Sequence, residues 1–458
     1  MKRRTLLKAT AAVAAAPLLG CQTRGAAPVK RPNVLFLFTD DQRFDTIRAL
    51  GNPEIETPNL DRLAARGVAF THAHIMGGTG GAICIASRAM LLTGRTLFRA
   101  PNNLGDFATW PETFRQAGYE TFGTGKWHNG AASYARSFSA GEAIFFGGMN
   151  DHRKVPVYDF APDGKYPKSR QHVAEEFSSE LFSSAAIRFL RGYRGAAPFF
   201  AYVSYTAPHD PRTPPKEWAD RYDPQKITLP KNFLPEHPFD NGELKVRDEQ
   251  LAPWPRTPEV IRRHIADYYG MISHVDEQIG RVLAALDETG HARDTIIVFG
   301  GDNGLAMGRH GLMGKQNLYD HSVRVPLIVS APGVGRPGTR CDALVYLHDI
   351  FPTVCDLAAV PAPETIESKS LVPLMRDPSA TAYDDVFAAY RDIQRMVRTE
   401  RWKLIVYPKV RVTQLFDIAA DPWELRNLAD SPEHAATLAD MRGRLAQWQE
   451  RVGDKVSA

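Results

Sequence analysis

Apolar and polar positions divide most of the chain into two alternating kinds of segment. Short apolar runs predict strands, and the continuous ones are typical of strands buried on both faces; they cover residues 33–39, 68–74, 119–124, 198–205, 295–299, 325–330 and 344–345. Apolar residues at helical spacing predict helices over residues 57–66, 110–118, 258–289 and 348–358. This alternation predicts an α/β fold with a large, mostly parallel sheet flanked by helices.

The pattern changes after about Asp384. Short strand-like pieces joined by tight turns predict a small antiparallel sheet over residues 386–390, 394–399, 402–407 and 414–417, and a terminal helix follows over residues 434–452. We therefore expect an N-terminal segment of residues 1–30, a large α/β domain of residues 31–383, and a C-terminal subdomain of residues 384–458.

Polar side chains with catalytic or ligating chemistry stand directly after several predicted strands. The carboxyl ends of neighbouring parallel strands meet at one edge of a sheet, where ligands of α/β proteins bind. We therefore expect one cleft to contain Asp40, Asp41, Lys126, His128, His209, Asp302 and Asn303. The alternative for the Asp40–Asp41 pair is a solvated turn.

The segment 77–95 is rich in glycine up to Cys84 and then has helical character. Arg88 lies one helical turn after Cys84, on the same face. A helix that begins at Cys84 would direct free N–H groups towards an anion. The alternatives are a small buried cysteine and a phosphatase-type thiolate loop; the second fits poorly, because such loops have five residues between Cys and Arg and this chain has three.

Four of the strand-end residues offer only oxygen ligands, namely Asp40, Asp41, Asp302 and Asn303. Such a set suits a hard cation, Ca²⁺ or Mg²⁺. The cations Arg88, Lys126 and Lys315 would surround it, so the substrate should carry an anionic group, and sulfate and phosphate both qualify.

The net charge of +4 argues against nucleic acid as a partner, and no basic run stands beyond the N-terminus. Residues 2–8 resemble a twin-arginine export signal, and the apolar stretch 9–19 is too short to anchor in a bilayer. Residues 18–21 resemble a bacterial lipobox, with Cys21 as the lipidated residue; the alternative is a plain cleaved signal peptide. We therefore expect an exported lipoprotein, in the periplasm or at the cell surface, held to the membrane by lipid alone. Cys341 and Cys355 are either a disulfide or two separate buried thiols.

The ordered set of motifs resembles the type I sulfatases from Asn33 to about Leu428. The matching motifs are Asp40-Asp41-Gln42, Cys84-Ile85-Ala86-Ser87-Arg88, Gly125-Lys126-Trp127-His128, Ala207-Pro208-His209, Gly301-Asp302-Asn303-Gly304 and Gly314-Lys315. The resemblance implies an alkaline-phosphatase-like fold, a Ca²⁺ site (or Mg²⁺), and hydrolysis of a sulfate ester by a formylglycine made from Cys84.

The resemblance also implies a role for each site residue. Asp40, Asp41, Asp302 and Asn303 would bind the metal together with the modified Cys84. Arg88 and Lys126 would hold the nucleophile and the sulfate. His209 or Lys315 would protonate the leaving oxygen, and His128 would act as the base that releases sulfate.

Two further expectations concern partners. Ala86 stands where many family members have proline, which favours maturation by an anaerobic radical-type maturase. The expected location favours a sulfated carbohydrate as substrate, with Arg212 and His310 as candidate saccharide-binding residues. The alternatives are a phosphonate monoester or phosphodiester hydrolase of the same superfamily, and a non-catalytic glycan-binding lipoprotein.

Overall fold

The computed structural model describes residues 31–456. Its strands, in chain order, are β1 (Asn33–Thr39), β2 (Val68–His74), β3 (Gly77–Gly78), β4 (Glu120–Lys126), β5 (Ala140–Phe145), β6 (Pro156–Val157), β7 (His172–Val173), β8 (Phe199–Ser204), β9 (Thr295–Gly301), β10 (Arg324–Val325), β11 (Leu327–Ser330), β12 (Thr339–Tyr346), β13 (Asp385–Tyr390), β14 (Gln394–Thr399), β15 (Trp402–Tyr407) and β16 (Val412–Asp417). Its α-helices are α1 (Pro58–Arg66), α2 (Ile83–Thr93), α3 (Trp110–Gln116), α4 (Ala131–Ser137), α5 (Ser178–Gly192), α6 (Lys216–Ala219), α7 (Pro258–Glu288), α8 (Asp320–Val323), α9 (Ile350–Ala358), α10 (Val372–Arg376) and α11 (Ala435–Val452).

The large sheet has the order β10-β2-β11-β9-β1-β8-β4-β5, and β12 also pairs with β2. Strands β9, β1, β8, β4 and β5 run parallel, whereas β11 is antiparallel to both of its neighbours. Alternate residues of β1 contribute to hydrophobic clusters on opposite faces, with Phe36 in one and Leu37 in the other. Because both faces are covered, the strand reads as a continuous apolar run. The predicted fold class is therefore confirmed.

The small sheet has the order β16-β15-β14-β13-β3. Its four C-terminal strands are antiparallel, and β3 joins its edge through parallel pairing of Gly77 with Ala389 and of Gly78 with Tyr390. A side chain at Gly77 would lie 2.2 Å from the carbonyl oxygen of Ala389, so only glycine permits this approach. The segment that leads to Cys84 is thus hydrogen-bonded to the C-terminal sheet.

Most predicted elements agree with the structure to within a few residues, and the differences have local causes. The predicted strand over residues 325–330 is two strands, because Pro326 interrupts it. Helix α2 begins at Ile83 rather than at Cys84, and β12 is longer than the predicted residues 344–345. Helices α4 and α5 and strand β5 were not predicted, although Phe182, Ala185 and Leu190 of α5 follow helical spacing.

Cys341 and Cys355 are separate, buried thiols, which confirms one of the two alternatives for them. The predicted export signal and the lipidation site Cys21 lie outside the described residues. Within residues 31–456, no helix combines the length and the apolar character that crossing a bilayer requires.

Candidate active site

Three parallel strands carry the predicted acidic and basic residues to one edge of the large sheet. Asp40 and Asp41 follow β1, Asp302 follows β9, and Lys126 ends β4. Asp41 has a left-handed backbone with φ of 63°, and its N–H donates to Asp302 Oδ1 at 3.0 Å. This contact across 261 residues fixes the three carboxylates together.

A group of ligand atoms at this edge could hold a metal ion. Atoms of Asp40, Asp41, Cys84 and His209 lie within 4.8 Å of one another. Asp40 Oδ1 is buried and has no hydrogen-bond partner among the described residues, and the same is true of Asn303 Oδ1. Buried oxygens without partners are costly, and a hard cation would satisfy them. The donor set therefore fits a Ca²⁺-type ion.

Asp302 is held more tightly by protein groups than the other carboxylates are. Its Oδ2 accepts from Arg88 Nε at 2.9 Å, and its Oδ1 also accepts from Asn303 Nδ2 at 2.7 Å. Burial alone would raise the pKa of Asp302, but Arg88, Lys126 and other cations hold it below its usual range. Burial, with Asp302 nearby, instead raises the pKa of Asp40 to about 7. A divalent cation would let all of these carboxylates ionise together.

Cys84 lies in the first turn of α2, with an exposed fraction of 2%. Lys315 Nζ lies 2.9 Å from its sulfur, and Asn303 Nδ2 lies 3.5 Å from it. Burial, together with Asp302 and Asp40, nevertheless raises the pKa of the Cys84 thiol well above its usual value. An unmodified Cys84 is therefore a protonated thiol and a poor nucleophile.

Arg88 spans the ends of three strands and is fully buried. Besides Asp302, its Nη1 donates to the carbonyl of Lys126 at 2.9 Å and to Ser204 Oγ at 2.8 Å. The guanidinium also lies over the Phe38 ring, 4.7 Å from its centroid. Nη2 is buried and has no partner among the described residues, so it is available to an anionic ligand.

Three further side chains differ in protonation. Burial, followed by Lys126 and Arg88, lowers the pKa of His128 to about 2, and burial with Lys315 lowers the pKa of His209 well below its usual value. Both imidazoles are therefore neutral. Burial opposes charge on Lys315, but Asp41, 2.6 Å away, and Cys84 raise its pKa well above the usual value. Lys315 is thus a cation and a proton donor. Lys126 forms an ion pair with Asp40.

Four of these residues line a pocket of about 360 Å³. Its lining includes Cys84, His128, His209 and Lys315, and also four residues that the sequence did not indicate, Arg247, Asp248, Gln316 and Arg391. Gln316 directly follows Lys315, which is the one adjacency that could have suggested it. The other three come from a 3₁₀ turn and a hairpin that carry no recognisable motif.

The four additional lining residues Arg247, Asp248, Gln316 and Arg391 are called the rim of the pocket. The two arginines of this rim form ion pairs with carboxylates. Arg247 bonds Asp210 through both terminal nitrogens, at 2.5 and 2.9 Å, and also contacts Asp248. Arg391 Nη1 donates to Glu243 at 2.9 Å, and its side chain stays 41% exposed. Because Arg247 is flanked by two carboxylates and Arg391 by one, Arg391 is the rim cation with free donor capacity.

The two predicted saccharide-binding residues do not line this pocket. Arg212 lies over the Tyr268 ring, 6.0 Å from its centroid. His310 is buried and stacks on Tyr319, with ring centroids 3.9 Å apart. Their role in substrate binding stays a prediction, which these positions do not support.

The parallel sheet, with buried carboxylates and cations at its strand ends, is typical of ester hydrolases of the alkaline-phosphatase-like superfamily. The chain belongs to the sulfatase family: the family model Sulfatase matches residues 32–360, and the model N-sulphoglucosamine sulphohydrolase, C-terminal, matches residues 308–451.

Two relatives match nearly the whole chain. An arylsulfatase of Clostridium perfringens is 30% identical, over 90% of this chain and 93% of that protein. An N-acetylglucosamine-6-O-sulfatase of Bacteroides thetaiotaomicron is 27% identical, over 96% of this chain and 90% of that protein.

Solved structures agree on the fold. A protein in complex with its substrate D-glucosamine-2-N,6-O-disulfate has a TM-score of 0.80 at 25% identity, over 93% of this chain and 99% of that chain. The phosphonate monoester hydrolase of Agrobacterium radiobacter has a TM-score of 0.74 at 24% identity, over 92% of this chain and 96% of that chain, and this second likeness shows the fold alone.

Proposed function

We propose that this sulfatase removes sulfate from a sulfated carbohydrate, using a formylglycine made from Cys84 and a Ca²⁺ ion. The observation that carries the proposal is the cluster in which Cys84 meets Asp40, Asp41 and His209 within 4.8 Å, two of them lining a ligand-sized pocket. Oxygens of Asp40, Asp41 and Asn303, with Asp302 beside them, would hold the ion.

A modified Cys84 agrees better with its surroundings than a reactive thiolate does. The thiol is protonated where it lies, because burial and two carboxylates raise its pKa. Conversion replaces the thiol by an aldehyde, and this oxidation requires a maturase; Ala86 favours the radical type. When present, the aldehyde hydrate supplies an oxygen nucleophile, and the cation supplies Lewis-acid polarisation.

The chain's own residues have distinct roles in this proposal. Arg88 Nη2, which has no partner among the described residues, donates to a sulfate oxygen, and Lys126 contributes positive charge beside it. Such preorganised donors are commonly the largest catalytic contribution. Lys315 gives a proton to the leaving oxygen, because it is the protonated group nearest to Cys84. His128 is neutral and accepts a proton from the residue-84 side chain in the step that releases sulfate.

A carbohydrate substrate is supported by the relatives and by the pocket. One relative is named for N-acetylglucosamine-6-O-sulfate chemistry, and one neighbour binds a glucosamine disulfate. The rim residues Asp248, Gln316 and Arg391 supply hydrogen-bond acceptors and donors for sugar hydroxyls and charged substituents. The N-terminal pattern of residues 1–30 supports export and lipidation at Cys21, which would bring the enzyme to extracellular glycans.

The second candidate is a phosphonate monoester hydrolase, because a phosphonate group has the charge and size that the same cations would bind; the solved structure of such an enzyme shares the fold. One experiment addresses both. The purified protein is assayed on matched nitrophenyl sulfate and phenylphosphonate esters and on defined sulfated saccharides, while peptide mass spectrometry measures aldehyde at residue 84. We expect sulfate release with aldehyde present. Preferential phosphonate turnover would favour the second candidate, and full activity with only free thiol would contradict the formylglycine mechanism.

A further inference from the structure

A second pocket of about 350 Å³ is lined in part by the loop that follows β1. It shares no lining residue with the active-site pocket. Its lining includes Arg43, Arg309, Lys231, Trp423 and Asp45. We call it the Arg43–Arg309 pocket.

Two buried arginines of this pocket share one carboxylate. Arg43 Nε lies 2.6 Å from Asp45 Oδ1, and Arg309 Nη2 lies 2.5 Å from Asp45 Oδ2. Arg43 is 1% exposed and Arg309 is 7% exposed. Arg43 Nη1 and Arg309 Nε are buried donors with no partner among the described residues. The single negative charge of Asp45 therefore balances only one of the two guanidinium groups, and one buried nitrogen of each arginine lacks a hydrogen-bond acceptor among the described residues.

The surrounding charges do not restore the balance. Arginines lower the pKa of Asp45 below its usual range although burial opposes ionisation, so it carries its single charge. Burial, followed by the like charge of Arg43, lowers the pKa of Arg309. With Lys231 and Glu54, the lining has three cationic and two anionic side chains. Buried charge without a counter-charge is unfavourable, and an anion would remove that cost.

The aromatic wall of the pocket lies close to its cations. The Arg309 guanidinium lies 5.2 Å from the centroid of the Trp423 ring, and Lys231 Nζ lies 5.9 Å from it. The two cations thus lie near one half-buried indole, and they line a pocket larger than a single oxyanion needs. We propose that the Arg43–Arg309 pocket binds a tetrahedral oxyanion, as free sulfate or phosphate or as the sulfate group of a sugar.

The pocket has a direct connection to the active-site loop. Arg43 follows the Asp40–Asp41 pair, and its backbone N–H donates to Tyr268 Oη at 2.8 Å. The same Tyr268 hydroxyl donates to the carbonyl of Asp41 at 2.6 Å. A ligand held by Arg43 would therefore stabilise the loop that positions Asp41. The proposal does not depend on the catalytic mechanism, since it rests on a different set of side chains.

Calorimetric titration with sodium sulfate, at constant ionic strength maintained with chloride, tests the proposal on the full chain. We expect two sites in the wild type, the product site and the Arg43–Arg309 pocket. Arg309→Gln should lose the second site, with affinity falling by about tenfold or more, as loss of a charge-assisted contact implies. Arg191→Gln, at an exposed ion pair with Glu288, is the matched control and should keep both sites.

A second variant and two further probes complete the test. Lys231→Gln changes an exposed side chain and should weaken sulfate binding at the second site by about threefold to tenfold. This variant keeps the test available if Arg309→Gln does not fold. Titrations with phosphate and with glucose 6-sulfate distinguish a free anion from a sulfate on a sugar. Sulfate inhibition of nitrophenyl sulfate hydrolysis reports the catalytic pocket in parallel. Identical isotherms for the wild type and both variants, or a variant effect confined to that inhibition, would overturn the proposal.

Discussion

Replacement of Lys315 by glutamine should reveal whether this lysine is the general acid. Its ammonium lies 2.9 Å from Cys84 Sγ and 2.6 Å from Asp41 Oδ1, within one hydrogen bond of the reacting side chain. Glutamine can still donate to Asp41 but cannot deliver a proton. Loss of a general acid costs about 10²–10⁴-fold in rate, or about 3–5 kcal/mol of barrier.

The loss should depend on the leaving group, because a nitrophenolate leaves without protonation and a sugar alkoxide does not. We therefore expect kcat for a sulfated saccharide to fall by about a hundredfold or more, and kcat for nitrophenyl sulfate by less than about tenfold. Steady-state kinetics on both substrates, with thermal unfolding to check the fold, measures this difference. Equal losses on the two substrates would refute the assignment, and a selective loss in His209→Ala instead would identify His209 as the acid.

Three further predictions follow from the site and the sheets. Exhaustive chelation should abolish activity, and added Ca²⁺ should restore it. Asp40→Ala should lower kcat by about a hundredfold or more, because it removes a metal ligand. Undiminished turnover after chelation would contradict the metal site. Arg391→Ala should reduce kcat/KM for a charged saccharide about tenfold more than for nitrophenyl sulfate, since the arginine lines the pocket but pairs with Glu243 rather than with a catalytic residue. Arg401→Ala, at an exposed turn of the same sheet, should affect neither substrate. Asp320→Asn should destabilise the protein by about 3–5 kcal/mol at pH 7, because Asp320 faces the buried cations Lys403 and Arg398, and Glu424 alone would remain to pair with Lys403. Burial opposes the charge of Asp320, but Arg398 and Lys403 lower its pKa. The stabilisation by Asp320 is therefore present above the unfolded pKa of about 3.9 and is lost as pH falls. Urea unfolding from about pH 3 to 8 should show the free energies of unfolding of the wild type and the variant converging at low pH.

The sequence was most informative where strands deliver side chains to the sheet edge. Asp40, Lys126 and Asp302 could be placed in one cleft because each stands immediately after or at the end of an apolar run, and parallel strands bring such positions together. Residues 1–30 were read only as targeting signals, and that prediction stays untested.

The rim of the pocket could not be predicted in the same way. Arg391 lines the pocket from a hairpin of the small sheet, about 300 residues away in sequence from Cys84. No motif near Arg391 predicts that the hairpin lies beside Cys84 in the fold. Arg212 and His310 were chosen because they follow catalytic motifs closely. Adjacency in sequence did not bring them to the pocket: Arg212 packs on Tyr268, His310 packs on Tyr319, and neither lines the pocket.

The pairing of β3 with β13 bears on when Cys84 can be modified. In the folded chain, the residues before Cys84 are hydrogen-bonded to Ala389 and Tyr390, and Cys84 itself is 2% exposed in a helix. A maturase that must hold this segment in its own active site cannot reach it after that strand has docked. Under the proposed function, formylglycine would therefore have to form during biosynthesis, before the C-terminal sheet has emerged and folded. Expression hosts will differ in how fast their maturase works relative to folding, and the yield of active enzyme should follow that ratio.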